Sequence, residues 1–235
     1  MDIQNLEKFA EETEDGSESQ GTLLKGKERV ESAEKRGDWG HWAKLTADMK
    51  TANPETDLTI DKGVEEAILK TLEEKKTEAK RTGDWVPYAF LACNAKRIDS
   101  NIDIKDEDAE RNILEQLDAF EKKAHETGKW RDYAVLFSQM KIINSDLCPE
   151  TDDEKKTAIL NDTIRSGSAL DLRFAAATRI MFPELKAPDL GVDPGVENEV
   201  KNNLDNFANF QKNYDNYFEL SANFRIVKAE KLEIK

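Results

Sequence analysis

The tryptophans of this chain recur at a nearly fixed distance, and that recurrence limits its possible folds more than any other feature. Gly37-Asp38-Trp39-Gly40-His41-Trp42-Ala43-Lys44-Leu45 is answered by Gly83-Asp84-Trp85-Val86-Pro87-Tyr88-Ala89-Phe90-Leu91. Gly128-Lys129-Trp130-Arg131-Asp132-Tyr133-Ala134-Val135-Leu136 follows, so that Trp39, Trp85 and Trp130 stand 46 and 45 residues apart. Self-similarity at a period of about 20–50 residues marks stacked supersecondary units, each of which needs a neighbour to cover its apolar side.

Taking each first Trp as position zero turns the match into a frame. Position three reads Trp42, Tyr88 and Tyr133, position six Leu45, Leu91 and Leu136, position ten Met49, Ala95 and Met140, and position eleven Lys50, Lys96 and Lys141. Tyr214, Tyr217, Leu220, Phe224 and Arg225 fit the same frame near the end of the chain. Between them lies an eroded copy with Leu172, Phe174, Thr178 and Arg179, in which Ser168 stands where Trp is expected. Positions zero, three, seven and ten share one helical face, and the period of two that a strand needs is absent.

Each short apolar segment is preceded by a long charged one. Asp61 to Arg81 carries Val64, Ala67, Ile68 and Leu72 on one stripe, and Asp106 to Thr127 repeats the design with Ala109, Ile113 and Leu117. Gly37, Gly83, Gly128 and Gly167 are placed to close these helices in a left-handed cap. Asp38 and Asp84 suit N-caps, and Pro87 is tolerated in a first turn, where its missing N–H has no helical partner.

The predicted fold is all-α: a solenoid-like array of about five helical hairpins curved into an arc, with pairs near residues 21–53, 60–101, 105–146, 151–185 and 193–230. Residues 1–20 are expected to form a flexible acidic N-terminus with a short helix from Ile3 to Ala10, and the eroded fourth pair is expected to be the weakest joint.

Thr178-Arg179-Ile180-Met181-Phe182-Pro183-Glu184-Leu185, followed by Asp189-Leu190-Gly191-Val192-Asp193, carries a resemblance. Together with the W-x-x-Y-A segments it resembles uncharacterised helical-repeat proteins of uncultivated small-genome bacteria, whose units read W-x-x-Y-A, then M-K-I-L-F-P-E-L, then D-L-G-I-D. The resemblance spans most of residues 37–235 and implies an all-helical repeat fold but no activity.

Composition removes some functions. A net charge of −14 opposes non-specific binding to nucleic acid or anionic lipid, which rests on cations neutralising phosphate. No stretch approaches the ~20 apolar residues of a membrane helix, and Met1-Asp2-Ile3-Gln4-Asn5-Leu6-Glu7 lacks the layout of a secretory signal. Two cysteines, Cys93 and Cys148, are too few for a disulfide framework or metal site and point to a reducing, cytoplasmic location.

The row of cations at position eleven, Lys50, Lys96, Lys141, Arg179 and Arg225, is the candidate binding surface, a charge ladder for an acidic segment of a protein partner. The competing reading is that each cation complements the carbonyls at its own helix end. The recurring aromatics are assigned to packing, with Tyr hydroxyls and Trp N–H groups reaching the wet edge. His41 and His125 have no Cys or second His at ligand spacing, so no metal, cofactor or catalytic residue is assigned. The favoured function is a non-catalytic scaffold or protein-binding module. The alternatives are a protein with a small-molecule pocket between repeats, which a cleft holding His41 or His125 beside carboxylates would favour as an enzyme, and a subunit that stacks through an uncapped last face at Tyr217, Phe218, Phe224 and Ile226.

Overall fold

A computed structural model of the chain describes residues 16–229 apart from positions 57, 59, 167–170 and 212, with no account of the side chains of residues 16–20 and 209–211. Ten α-helices make up the described residues, and no strand is found among them. In chain order they are α1 (Gly16–Lys35), α2 (Trp39–Ala52), α3 (Lys62–Thr82), α4 (Val86–Ile98), α5 (Glu107–Thr127), α6 (Arg131–Ile143), α7 (Asp153–Arg165), α8 (Leu172–Met181), α9 (Pro194–Asp205) and α10 (Tyr214–Lys228). Helix α1 begins at Gly16, so the expected tether is already helical over its last residues. Ile3–Ala10, Gly167, Ser168 and the last six residues lie outside the described chain.

Local chemistry sets the helix ends. Asp61 and Asp106 open α3 and α5 by accepting from the N–H groups of Val64 (2.9 Å) and Ala109 (3.0 Å). Gly83 and Gly128 close those helices at φ 77° and 68°, a conformation that costs a side chain with a Cβ about 1 kcal/mol or more. Asp38 caps α2. Asp84 bonds the Val86 N–H at 3.1 Å, but α4 begins at Val86 and its N-terminal neighbour Trp85 has no side-chain cap. The Trp85 N–H instead donates to Gln116 Oε1 of α5 at 2.7 Å.

Each even-numbered helix packs against the odd-numbered helix before it. The even-numbered helices also pack on one another in the order α2, α4, α6, α8, α10, and α10 returns to α2. The expected open arc is therefore closed. Closure has a local cause: Phe218 of α10 is only 1% exposed and its ring lies over Gly26 of α1, beside Met49 of α2. The last face, expected to stand uncapped, is covered by α2. Lys44 of α2 reaches Glu219 of α10 at 2.7 Å, and Arg29 of α1 makes two 3.1 Å hydrogen bonds to Asp215.

The even-numbered, inner helices α2, α4, α6 and α8 are buried over most of their residues, whereas α10 buries only Phe218, Leu220, Ala222 and Val227. In α8 each residue from Leu172 to Met181 is buried except Arg173. Trp85 and Trp130 occupy like surroundings. Each meets the Tyr three residues on edge-to-face, at 5.9 and 5.7 Å between centroids. Each also donates its backbone N–H to the following odd-numbered helix, Trp85 to Gln116 and Trp130 to Asp162 (2.7 Å). The expectation that the aromatic polar atoms reach water fails at two places. Trp42 Nε1 and the Tyr133 hydroxyl are buried without a hydrogen-bond partner.

Candidate functional site

A ring of five helices cannot fill its own centre unless the side chains there are large. Helices packed 8–10 Å apart in a five-membered ring hold their axes about 7–8 Å from its centre, while a helix with side chains is only ~10–12 Å across. In this chain the residue eight after each frame start is small throughout: Ala47, Cys93, Ser138, Ala176 and Ala222. A cavity of about 420 Å³, open to solvent on one side, has wall residues from α2, α4, α6, α8 and α10, Cys93, Ser138 and Ala176 among them.

Positions five, eight, nine and twelve of the frame supply most of that wall, a second helical face beside the aromatic one. Position nine is polar in four units: Asp48, Asn94, Gln139 and Asn223. Asp48 is buried behind the wall and paired with Lys44 (2.9 Å) and Arg97 (3.0 Å). Arg97 also donates to Asn94 and Thr51, both at 2.9 Å. Gln139 differs: it is 5% exposed, lines the cavity, and its Oε1 has no partner. Burying a polar atom unpaired costs about 1–3 kcal/mol.

The charged wall residues are Lys50, Lys96, Arg97 and Arg173, and no carboxylate lines the cavity among the described residues. Arg173 lies over the Phe90 ring at 5.7 Å, reaching across the ring from α8 to α4 past α6. Its guanidinium makes no hydrogen bond to any described residue. The nearby Asp171 carboxylate lies 2.9 Å from Arg131, its buried Oδ1 makes no hydrogen bond, and both Arg131 and Arg173 act on its charge. Cys93 sits in the same wall, its thiol pushed up to about 11 by burial.

The position-eleven cations follow a rule that neither sequence reading contained. Lys50 donates to Ile98 O (2.6 Å), Lys141 to Met181 O (2.8 Å), Arg179 to Ala229 O (2.9 Å) and to Pro183 O, and Arg225 to Ala52 O (3.1 Å). Each of the four holds a carbonyl at the C-terminal end of the next inner helix, which requires all five inner helices to point the same way. The fifth, Lys96, bonds Ser100 O in its own loop at 3.0 Å. A cation serves a helix C-terminus here, but its neighbour's and not its own. Lys50 and Lys96 also border the cavity, whereas Lys141, Arg179 and Arg225 do not.

A second cleft of about 300 Å³ lies between α1, α2 and α10 and contains His41, with Nε2 3.4 Å from Asp215. This places a histidine beside a carboxylate, the arrangement set out above as favouring an enzyme. Asp215 is already held by both bonds from Arg29, and the one hydroxyl of the cleft, Ser32, accepts from Arg36 at 2.7 Å. No hydrogen bond joins Ser32 to His41, so the cleft has no activated nucleophile. His125 packs edge-on against Trp130 at 4.8 Å and lies 3.7 Å from Glu121.

Sequence reasoning missed the cavity wall. The available signal was the small residue at position eight followed by a polar one at position nine, repeated on helices that were otherwise apolar. Comparison of the chain with protein-family models, curated proteins and solved structures finds no match to any of them.

Proposed function

We propose that this protein is a closed array of five helical hairpins whose central cavity binds a small molecule without catalysing its conversion. The reading is carried by one observation: the cavity of about 420 Å³ is walled by all five inner helices. That volume lies within the ~300–1,000 Å³ common to small-molecule sites. Support for the repeat reading comes from the like surroundings of Trp85 and Trp130 and from the cation-to-carbonyl rule at position eleven. A scaffold role for the cation row has a structural cost, because Lys50, Lys141, Arg179 and Arg225 would first have to leave the carbonyls they hold. The cavity needs no such rearrangement.

Thermal denaturation against a library of polar metabolite-sized compounds tests the proposal, with Ser138→Phe and Ala177→Leu as variants that fill the cavity. Compounds that raise the wild-type Tm and lose that effect in either folded variant support it. Failure of every compound to raise the Tm, or equal shifts in wild type and folded variants, overturns it.

A further inference from the structure

The wall groups that remain unengaged define what an occupant must offer. Lys50 and Lys96 each give one donor to a carbonyl, Ile98 O and Ser100 O, and Arg97 is held by the Asp48, Asn94 and Thr51 cluster. Arg173, an exposed residue at the mouth, makes no hydrogen bond to any described residue and lies over the Phe90 ring at 5.7 Å. Gln139, on the intervening helix α6, keeps a buried acceptor free. A guanidinium fork matches the two oxygens of a carboxylate or phosphate, and an unpaired amide oxygen requires a donor. The four cations with no lining carboxylate make the cavity positive inside a chain of net charge −14. The apolar part of the wall, with Phe90, Val135, Ile142 and Ile180, leaves room for a hydrocarbon or ring body.

Resting on the small-molecule reading above, we propose that the occupant is a small organic oxyanion, its charged end gripped by Arg173 and an adjoining hydroxyl or N–H donating to Gln139. Asp171, just outside the wall, is the one carboxylate among the described residues that acts on Arg173, and it is shared with Arg131, so an anion in the cavity would complete the balance. The Gln139 amide discriminates for a donor beside the anionic group, since an occupant lacking one leaves Oε1 buried and unpaired.

Phenyllactate, its neutral amide and inorganic phosphate serve as probes, with binding read by calorimetry on the full chain. The variants are Arg173→Ala, Arg173→Lys and Gln139→Leu, each checked for its helical signal. The acid is expected to bind about tenfold or more tightly than the amide, a ratio worth about 1.4 kcal/mol. Arg173→Ala should remove that preference, Arg173→Lys should keep only part of it, and Gln139→Leu should weaken the acid while leaving phosphate less affected. Phosphate binding that depends on Arg173, with weak binding of the acid, assigns the oxyanion as a phosphate group and upholds the proposal. Equal binding of acid and amide, insensitive to Arg173, overturns the anion assignment and leaves a neutral-ligand cavity standing. No binding by any probe, together with no stabilising compound in the library, overturns both readings.

Discussion

Arg225 Nη1 lies 3.1 Å from the carbonyl oxygen of Ala52, a residue 173 positions earlier in the chain. The contact ties the last inner helix to the end of the first and repeats what Lys50, Lys141 and Arg179 do at other joints. A charged donor on a helix-terminal carbonyl draws on both the hydrogen bond and the helix dipole. Arg225→Ala should therefore cost about 1–2 kcal/mol. For a chain of this length each kcal/mol lowers Tm by about 2–4 °C. Lys96→Ala removes only a bond within its own loop and should cost under about 0.5 kcal/mol. Thermal melts of the two variants decide: equal losses would deny the joint its special role.

Gly26 gives a second reading of the same joint. A Cβ placed there would lie 2.5–2.8 Å from the Phe218 ring and the Met49 terminal methyl. Overpacking of this kind costs about 1–3 kcal/mol, against a helix-propensity gain of about 1 kcal/mol for Gly→Ala. Gly26→Ala should be net destabilising. Gly21→Ala on the same helix meets nothing within 4 Å and should stabilise by up to about 1 kcal/mol. Denaturant titration of both variants is the check, and stabilisation by Gly26→Ala would mean α10 does not seat on α1.

Much of this architecture is legible in the residues, and the part that is not has a physical reason. The Trp85 and Trp130 frames, the capping aspartates 61 and 106 and the closing glycines 83 and 128 act within a few residues of themselves, so local pattern reveals them. Closure depends on how helices far apart in sequence pack and on the fit of Phe218 against Gly26, which no short window contains. Position nine was passed over for a related reason. Asn94 and Gln139 look like ordinary polar residues on a helix until the packing places them in the cavity wall. The helix dipole accounts for a cation at position eleven, but which helix end it serves depends on the neighbour across the joint, as Lys50 on Ile98 O shows.

Acid should weaken the outer joints in a defined direction. Burial alone would raise the Asp106 carboxyl, but the hydrogen bonds from Lys76 and the Ala109 amide outweigh it and hold Asp106 below its ordinary 3.8. Asp108 is held low by Lys80 and Arg111, and Glu184 by Lys156. A carboxyl with a folded pKa below its unfolded one binds fewer protons when folded, so its stabilising effect is complete above the unfolded value and disappears as pH falls through the folded one. Asp106→Asn keeps a capping oxygen but cannot ionise. The Tm gap between wild type and this variant should shrink as pH drops below the ordinary carboxylate range, and a gap independent of pH would contradict the assignment.

Both thiols should be sluggish. Burial pushes Cys93 and Cys148 up to about 11 from 9.0. A rise of about two pKa units lowers the thiolate fraction near neutral pH roughly a hundredfold. Reaction with an aromatic disulfide should be slow in the native protein and fast in denaturant. A native reaction at the rate of an exposed thiol would show that the cavity wall at Cys93 is open to bulk solvent.

The account stands or falls on the closed ring, and Lys44 with Glu219 tests it most directly. Their charged atoms are 2.7 Å apart across the joint between α2 and α10. Zero-length carbodiimide coupling followed by peptide mass spectrometry of the monomer should yield a Lys44–Glu219 amide, lost in Glu219→Gln. A monomer without that cross-link while Lys228–Glu197, 2.5 Å apart within the last hairpin, couples readily would contradict closure.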